Sequence, residues 1–341
     1  MKRSGQLVIG LVIAALAVAY TIRNISVDDL LNSFTQIEFQ YLAMTTLLMV
    51  ATYWARVYRW QALVSPIKPV RIRELLSPLM VGFMAAVLPA RAGEFVRAYL
   101  LGKSQNISFA SSFATIVIER LFDMLMLLLM LTWVLMFQGE VFESGASWSG
   151  ITIEDLAFQF GLLSLVLVST LVGFIFLLTW KRDLAMDLVG LFLKPFPENW
   201  QEKLSGLIRS FGDGLEVVRN PRALIIISLS TVLVWTLIVL AYYPLYFAYD
   251  LNNTSIISPI LLTLMICILI TVLPTPAFLG SFNAGVLIAL HEIMNEAELA
   301  AVSFGFVAWG LNMLVVTIGG VYFIVHDHIS LKKIAEMDPE V

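Results

Sequence analysis

A charged break inside an apolar stretch, between residues 75 and 102, limits the folds open to this chain more than any other feature. Leu75 to Leu88 is apolar and too short to cross a bilayer comfortably; a second short run follows, ending at Gly102. Between them lies Pro89-Ala90-Arg91-Ala92-Gly93-Glu94-Phe95-Val96-Arg97. Pro89 has no N–H and disfavours helix at Leu88, so the first helix is expected to stop there. Gly93 frees the backbone to turn before a second helix starts. A broken helix is tolerated at membrane depth only where protein or a watery cavity covers it, and charges held there point to function.

That reading needs a membrane-embedded chain, and the composition supports it. The 341 residues are 59% hydrophobic and 13% charged, with a mean hydropathy of +0.87; soluble domains carry about 25% charged residues. Runs of spanning length are expected at roughly 5–22, 40–63, 110–137, 155–180, 223–248 and 297–325. Two further regions, 75–102 and 256–291, each hold a pair of shorter apolar segments joined by a break. The expected fold is an all-α polytopic membrane protein, with about six full spans plus two broken or re-entrant helix pairs, eight or more membrane helices in all. The start of the chain, through Ala17-Val18-Ala19, also fits a cleaved signal peptide, but a retained first span suits the symmetry below. The linker 181–222 reads either as an amphipathic segment on the membrane surface or as a solvated connection. Cys267 is the single cysteine, so no disulfide framework and no cysteine metal motif exists.

Basic residues near span ends set the expected orientation. Lys2, Arg3, Lys68, Arg71, Arg73, Lys103, Lys181, Arg182, Lys332 and Lys333 fall on one side; Asp28, Asp29, Glu140, Glu143, Asp250 and Glu292 fall on the other, where Arg23 is the one clear basic residue. Both termini and the linker are therefore placed in the cytoplasm of a multi-pass protein of the cell membrane. Residues 75–102 then enter and return from inside, and 256–291 from outside. Val87-Leu88-Pro89 is echoed by Val272-Leu273-Pro274, and Gly93-Glu94-Phe95 by Gly280-Ser281-Phe282. Residues 1–150 and 151–341 thus read as two halves of an inverted-topology repeat, the first with the basic break, the second including the cytoplasmic linker. In such repeats the transport site lies between the halves. The two broken pairs are expected to pack against each other near the centre.

The first half concentrates charge where lipid cannot face it. Arg56 and Arg59 lie on the second span, Arg91, Glu94 and Arg97 at the break, and Glu119, Arg120 and Asp123 on one face of the span after it. The five arginines outnumber the three acids, a surplus that suits a phosphate or diphosphate gripped by planar guanidinium forks. The bland alternative is internal pairing at a spacing of three residues, Glu94 with Arg97 and Arg120 with Asp123, with Arg59 snorkelling to the surface. The second break offers Gly280, Ser281 and Asn283, either a helix start facing the arginines or a packing hairpin of small residues. There is no lysine or arginine from Ala223 to Leu331.

Enzyme motifs fail on inspection. His291-Glu292 lacks the second histidine of a zinc protease helix, His326-Asp327-His328 does not share a helical face, and no nucleotide-binding glycine motif is present. No cofactor, metal or nucleic-acid partner is expected. Asn252-Asn253-Thr254 reads as a turn.

Arg56-x-x-Arg59-Trp60, Leu88-Pro89-Ala90-Arg91-Ala92-Gly93-Glu94-Phe95-x-Arg97, Ile118-Glu119-Arg120-Leu121-Phe122-Asp123 and the proline-rich break at 274–283 together resemble one family. It is the membrane region of lysylphosphatidylglycerol synthases and their flippase-like relatives, which include dolichol-phosphate-glucose synthetase homologues. The resemblance implies a translocase for an anionic phospholipid or a polyprenyl-phosphate-linked lipid, with no catalytic residues of its own. The sequence ends at Val341 without an aminoacyl-transfer domain, so lysylation by this chain alone is not expected. The second break is poorer in glycine than the family pattern. A membrane-embedded transferase acting on a lipid phosphate, and a non-catalytic partner of an envelope-lipid enzyme, are the alternatives.

Overall fold

The computed structural model describes residues 3–85, 92–137, 147–148, 151–181, 184 and 198–329. Nearly all of them are helical. The long helices are α1 (Arg3–Ile22), α3 (Phe39–Val64), α6 (Phe109–Phe137), α7 (Ile153–Trp180), α9 (Pro221–Ala248) and α12 (Glu298–His326). They fall within two residues of the expected spans at either end. By length and composition, Pro221–Ala248, Pro276–Ile293 and Glu298–His326 qualify to cross a membrane. Helix α6 has the length but carries Glu119, Arg120 and Asp123 within it.

The broken regions are helix pairs. Helices α4 (Ile72–Ala85) and α5 (Ala92–Gln105) have 14 residues each, about 21 Å at 1.5 Å per residue, short of a hydrocarbon core about 30 Å thick. The second pair is α10 (Ile257–Val272) and α11 (Ser281–Leu287), the latter continuing as a π-helical turn, Ile288–Ile293. Gly280 makes this second turn at φ 87°, and a Cβ there would stand 2.8 Å from the Ala14 carbonyl oxygen on α1. Pro89 and Arg91 lie outside the described residues.

Three features go beyond the sequence reading. Helix α2 (Val27–Thr35) turns 81° from the end of α1 and is capped by Ser26, whose Oγ accepts from the Asp29 N–H. A two-residue antiparallel ladder pairs Ser147–Trp148 with Ile151–Thr152. Within the linker, α8 (Glu198–Gly214) lies against α6, where a Cβ on Gly214 would meet Ser111 and Ala114. Arg219 then donates to the Thr179 carbonyl, and Asn220 caps α9 with Pro221 in its first turn.

The most extensive helix pairing joins α3 to α9. The two broken pairs do not pack substantially on each other, against expectation, because α12 touches both. Its glycines allow the close approach. Gly305 faces Asn283 and Val286 of the second pair, whereas Gly319 and Gly320 face Met80 and Met84 of the first. Those contacts are fourteen residues apart (305 to 319), roughly 21 Å along the helix. Outward faces are apolar: Ile225, Leu229, Val232 and Leu233 on α9, and Leu314, Ile318 and Val321 on α12, are exposed, as a lipid-facing belt requires.

Candidate functional site

Three helices bring their charges to one place, and a fourth adds neutral partners. Glu119, on α6, is fully buried and accepts from three arginines. Its Oε1 takes Arg59 Nη2 at 2.9 Å and Arg120 Nη2 at 3.0 Å, and its Oε2 takes Arg97 Nη2 at 2.6 Å. Asp123, one helical turn on, accepts Arg59 Nη1 at 2.7 Å and the Trp235 indole N–H at 3.1 Å through Oδ1, and pairs with Arg120 at 3.1 Å through Oδ2. Thr231 Oγ1 lies 3.3 Å from Arg59 Nη1. A charge inside apolar surroundings needs such partners, because desolvation otherwise outweighs attraction. The network ties α3, α5, α6 and α9 together.

Aromatic rings wall it in. The Arg97 guanidinium lies 3.7 Å over the Trp60 ring, and Trp60 Nε1 donates to Thr115 at 3.0 Å. A desolvated cation–π contact of this kind is worth about 2 kcal/mol. Gly82 of α4 makes room: a Cβ there would stand 2.9 Å from Arg97 Cβ and 3.0 Å from the Gly93 carbonyl.

The cluster has a closed interior and an open lip. Arg59 is 0% exposed and Arg97 4%, so Arg59 does not snorkel; its carboxylate partners hold it inside. Arg120 and Glu94 are each 32% exposed, 3.8 Å apart. Of the two expected intrahelical pairs, Arg120–Asp123 forms. The other does not: Arg97 turns to Glu119, the more deeply buried acid, and Glu94 faces Arg120. Arg56 stands apart. It is half-buried, its guanidinium 5.2 Å over the Phe83 ring, and it has no ion pair or hydrogen bond among the described residues. Four described arginines against three carboxylates leave one positive charge in excess, and Arg56 carries it.

The second break is tied within itself and to α12, where Trp309 Nε1 donates to the Ala277 carbonyl at 2.9 Å. Asn283 Oδ1 accepts from the Gly280 N–H at 3.2 Å, and Ser281 Oγ lies 2.9 Å from Thr275 Oγ1. Their hydrogen bonds do not reach the arginines, and Gly280 is closed against α1. The second-half side chains that reach the cluster directly are Thr231 and Trp235 of α9. Tyr53 donates to Asn312 on α12 at 2.8 Å, and Tyr242 and Cys267 lie within electrostatic range of Arg56. Sequence reasoning missed Trp235, Thr231 and Asn312. The one usable signal was that a buried indole N–H needs an acceptor.

A helical bundle with an ion network buried among its spans is a multi-pass membrane protein. The model of the lysylphosphatidylglycerol synthase TM region matches residues 7–320, and the chain belongs to that family. It is also similar to a protein named glycosyltransferase AglD from Haloferax volcanii, at 22% identity over 373 residues, an alignment covering 100% of this chain and 57% of the relative. The chain thus spans a little over half the length of that curated relative. No solved structure matches it.

Proposed function

We propose that this protein is a lipid translocase of the cell membrane, moving an anionic phospholipid or a polyprenyl-phosphate-linked lipid past the arginine cluster. The observation that carries this is Arg56. A partly buried guanidinium among spanning helices, with no ion pair or hydrogen bond among the described residues while three neighbouring arginines are paired, is poised for an anion supplied from outside the chain. Arg120 and Glu94, at the same lip, are the other accessible charges. Arg59, Arg97, Glu119 and Asp123 hold the site's shape, and Arg91, outside the described residues, immediately precedes α5 in the sequence. The tails remain in lipid while the headgroup passes the polar cluster. The closed second break, with Gly280, Ser281 and Asn283, acts as the packing counterpart on the far side.

On this reading the chain forms two inverted halves, 1–150 and 151–341, with both termini cytoplasmic and the site between them. The broken pairs meet α12 near its opposite ends, as hairpins entering from opposite faces would. The two halves also pair through their corresponding spans, α3 and α9.

The similarity to a named glycosyltransferase favours a second reading, in which this membrane region presents a lipid phosphate to a transferase. One assay separates the two. Purified protein in liposomes with fluorescent phosphatidylglycerol should move the lipid between leaflets without altering it. Arg56→Gln should cut the rate about ten to a hundredfold, the loss of a charge-assisted hydrogen bond worth roughly 1.5–3 kcal/mol, and Arg56→Lys should rescue it only in part. Unmoved lipid in wild-type vesicles, or full activity in Arg56→Gln, would reject the translocase reading.

A further inference from the structure

The first broken pair has two feet on one surface, at Ile72 where α4 begins and Gln105 where α5 ends. Beside them the C-terminal end of α12 arrives, and a cleft of about 920 Å³ opens among the three. No arginine of the buried network lines it.

Arg73 and Lys103 line this cleft, one from each foot, and both are exposed. Neither has a carboxylate partner among the described residues; Lys103 Nζ only rests 5.9 Å over the Tyr99 ring. Each of the cleft's two acids already holds a donor of its own. Glu74 accepts the Arg71 backbone N–H at 3.3 Å, and Asp327 Oδ1 lies 2.6 Å from His326 Nδ1. Partial burial pushes the Asp327 carboxyl up, but hydrogen bonds from Ser77 and His326 outweigh it and hold the group below its usual range, ionised and occupied. The opposite wall is aromatic. Trp54 and Tyr322 line the cleft and are 52% and 57% exposed. Trp54 is the α3 residue at the cleft and sits ten residues before Val64, roughly 15 Å from that end of the helix.

Free cations at a rim of helix ends, with exposed indole and phenol rings leading along the apolar face, match a phosphodiester headgroup and the start of its acyl chain. We propose that this cleft binds an anionic phospholipid from the leaflet that the feet of the first pair face, with Arg73 and Lys103 on the phosphate and Trp54 and Tyr322 along the chain. The site is separate from the arginine cluster and stands whether or not that cluster moves lipid.

The test uses the full chain in neutral detergent, titrated with phosphatidylglycerol, phosphatidylcholine or inorganic phosphate and read by native mass spectrometry. Phosphatidylglycerol should bind at least tenfold tighter than phosphatidylcholine. The double variant Arg73→Gln/Lys103→Gln should weaken it roughly thirtyfold, two surface charges' worth, while the charge-matched Arg71→Gln/Arg222→Gln leaves it unchanged. Both pairs are exposed, so all variants should elute as wild type. Trp54→Ser should weaken the lipid and leave inorganic phosphate unaffected. Equal binding of the two lipids, equal loss in the charge-matched variant, or phosphate binding as tightly as phosphatidylglycerol would overturn the assignment.

Discussion

Replacing Glu119 by Gln tests whether the buried network is the structural core of the membrane bundle. Glu119 is fully buried and accepts Arg59, Arg97 and Arg120 at 2.9, 2.6 and 3.0 Å. The amide keeps one acceptor but turns an N–H₂ donor toward guanidinium groups that have only donors. Arg97 fares worst. Glu119 is its only ion-pair partner among the described residues, and at 4% exposure it has little water to turn to. Breaking a buried pair by removing one partner costs roughly 3–5 kcal/mol. Arg59 and Arg120 retain Asp123, so the loss should stay near that range rather than multiply by three. For a chain of this size that is a fall in melting temperature of about 4–7 °C, read by fluorescence-detected gel filtration of heated, detergent-solubilised protein. Arg56→Gln in the same assay should melt within about 1 °C of wild type, because Arg56 has no internal pair to lose. A Glu119→Gln protein as stable as wild type, or an Arg56→Gln protein equally destabilised, would refute the division between a locked interior and a free cation.

Two more outcomes follow from the packing and the topology. Gly82→Ala would place a Cβ 2.9 Å from Arg97 Cβ and 3.0 Å from the Gly93 carbonyl, so it should force α4 and α5 apart and destabilise the protein by roughly 1–3 kcal/mol, whereas Gly310→Ala on α12, which meets nothing within 4 Å, should be neutral in the same melting assay. In intact cells, single cysteines at positions 71 and 181, both exposed, should react with a membrane-impermeant maleimide only after permeabilisation, and those at 252 and 294 before it; labelling of 252 and 294 from opposite faces would end the inverted-repeat reading.

Much of the fold was legible because lipid imposes one rule, that backbone polar groups be satisfied within the segment. Long apolar runs therefore had to be helices, and α3, α6, α7, α9 and α12 begin and end where the runs do. The short runs at 75–102 also announced their helix pair, since neither 14-residue member is long enough to cross straight. Helix α2 was obscure: Val27-Asp28-Asp29-Leu30-Leu31 is neither apolar enough to span nor polar enough to exclude a helix, and it is the Ser26 cap that fixes its start. The charged residues of the cluster were legible by type, because five charges in apolar helices have nowhere else to go. Their partners were not. Spacing of three along a helix favoured Glu94 with Arg97, but the choice belongs to depth: Glu119 is the better-desolvated acid, and a guanidinium that can reach it gains more there than at the half-exposed Glu94.

The same argument from depth explains why Arg56 and Arg59, three residues apart on one helix, differ so completely. Both lie on α3 within electrostatic range of Asp123. Asp123, however, already receives Arg59, Arg120 and the Trp235 indole. Its lone pairs are engaged, and a fourth donor would have to displace one of these at a cost in desolvated hydrogen bonds. Arg59, which also reaches Glu119, gains two acids and is held inside. Arg56 points toward Phe83 and keeps partial access to solvent. Adding one carboxylate to the cluster would quench Arg56 and close the network on itself. The chain carries no such residue among the described ones near it, and the unmatched charge on Arg56 is the feature a purely structural ion network would not need.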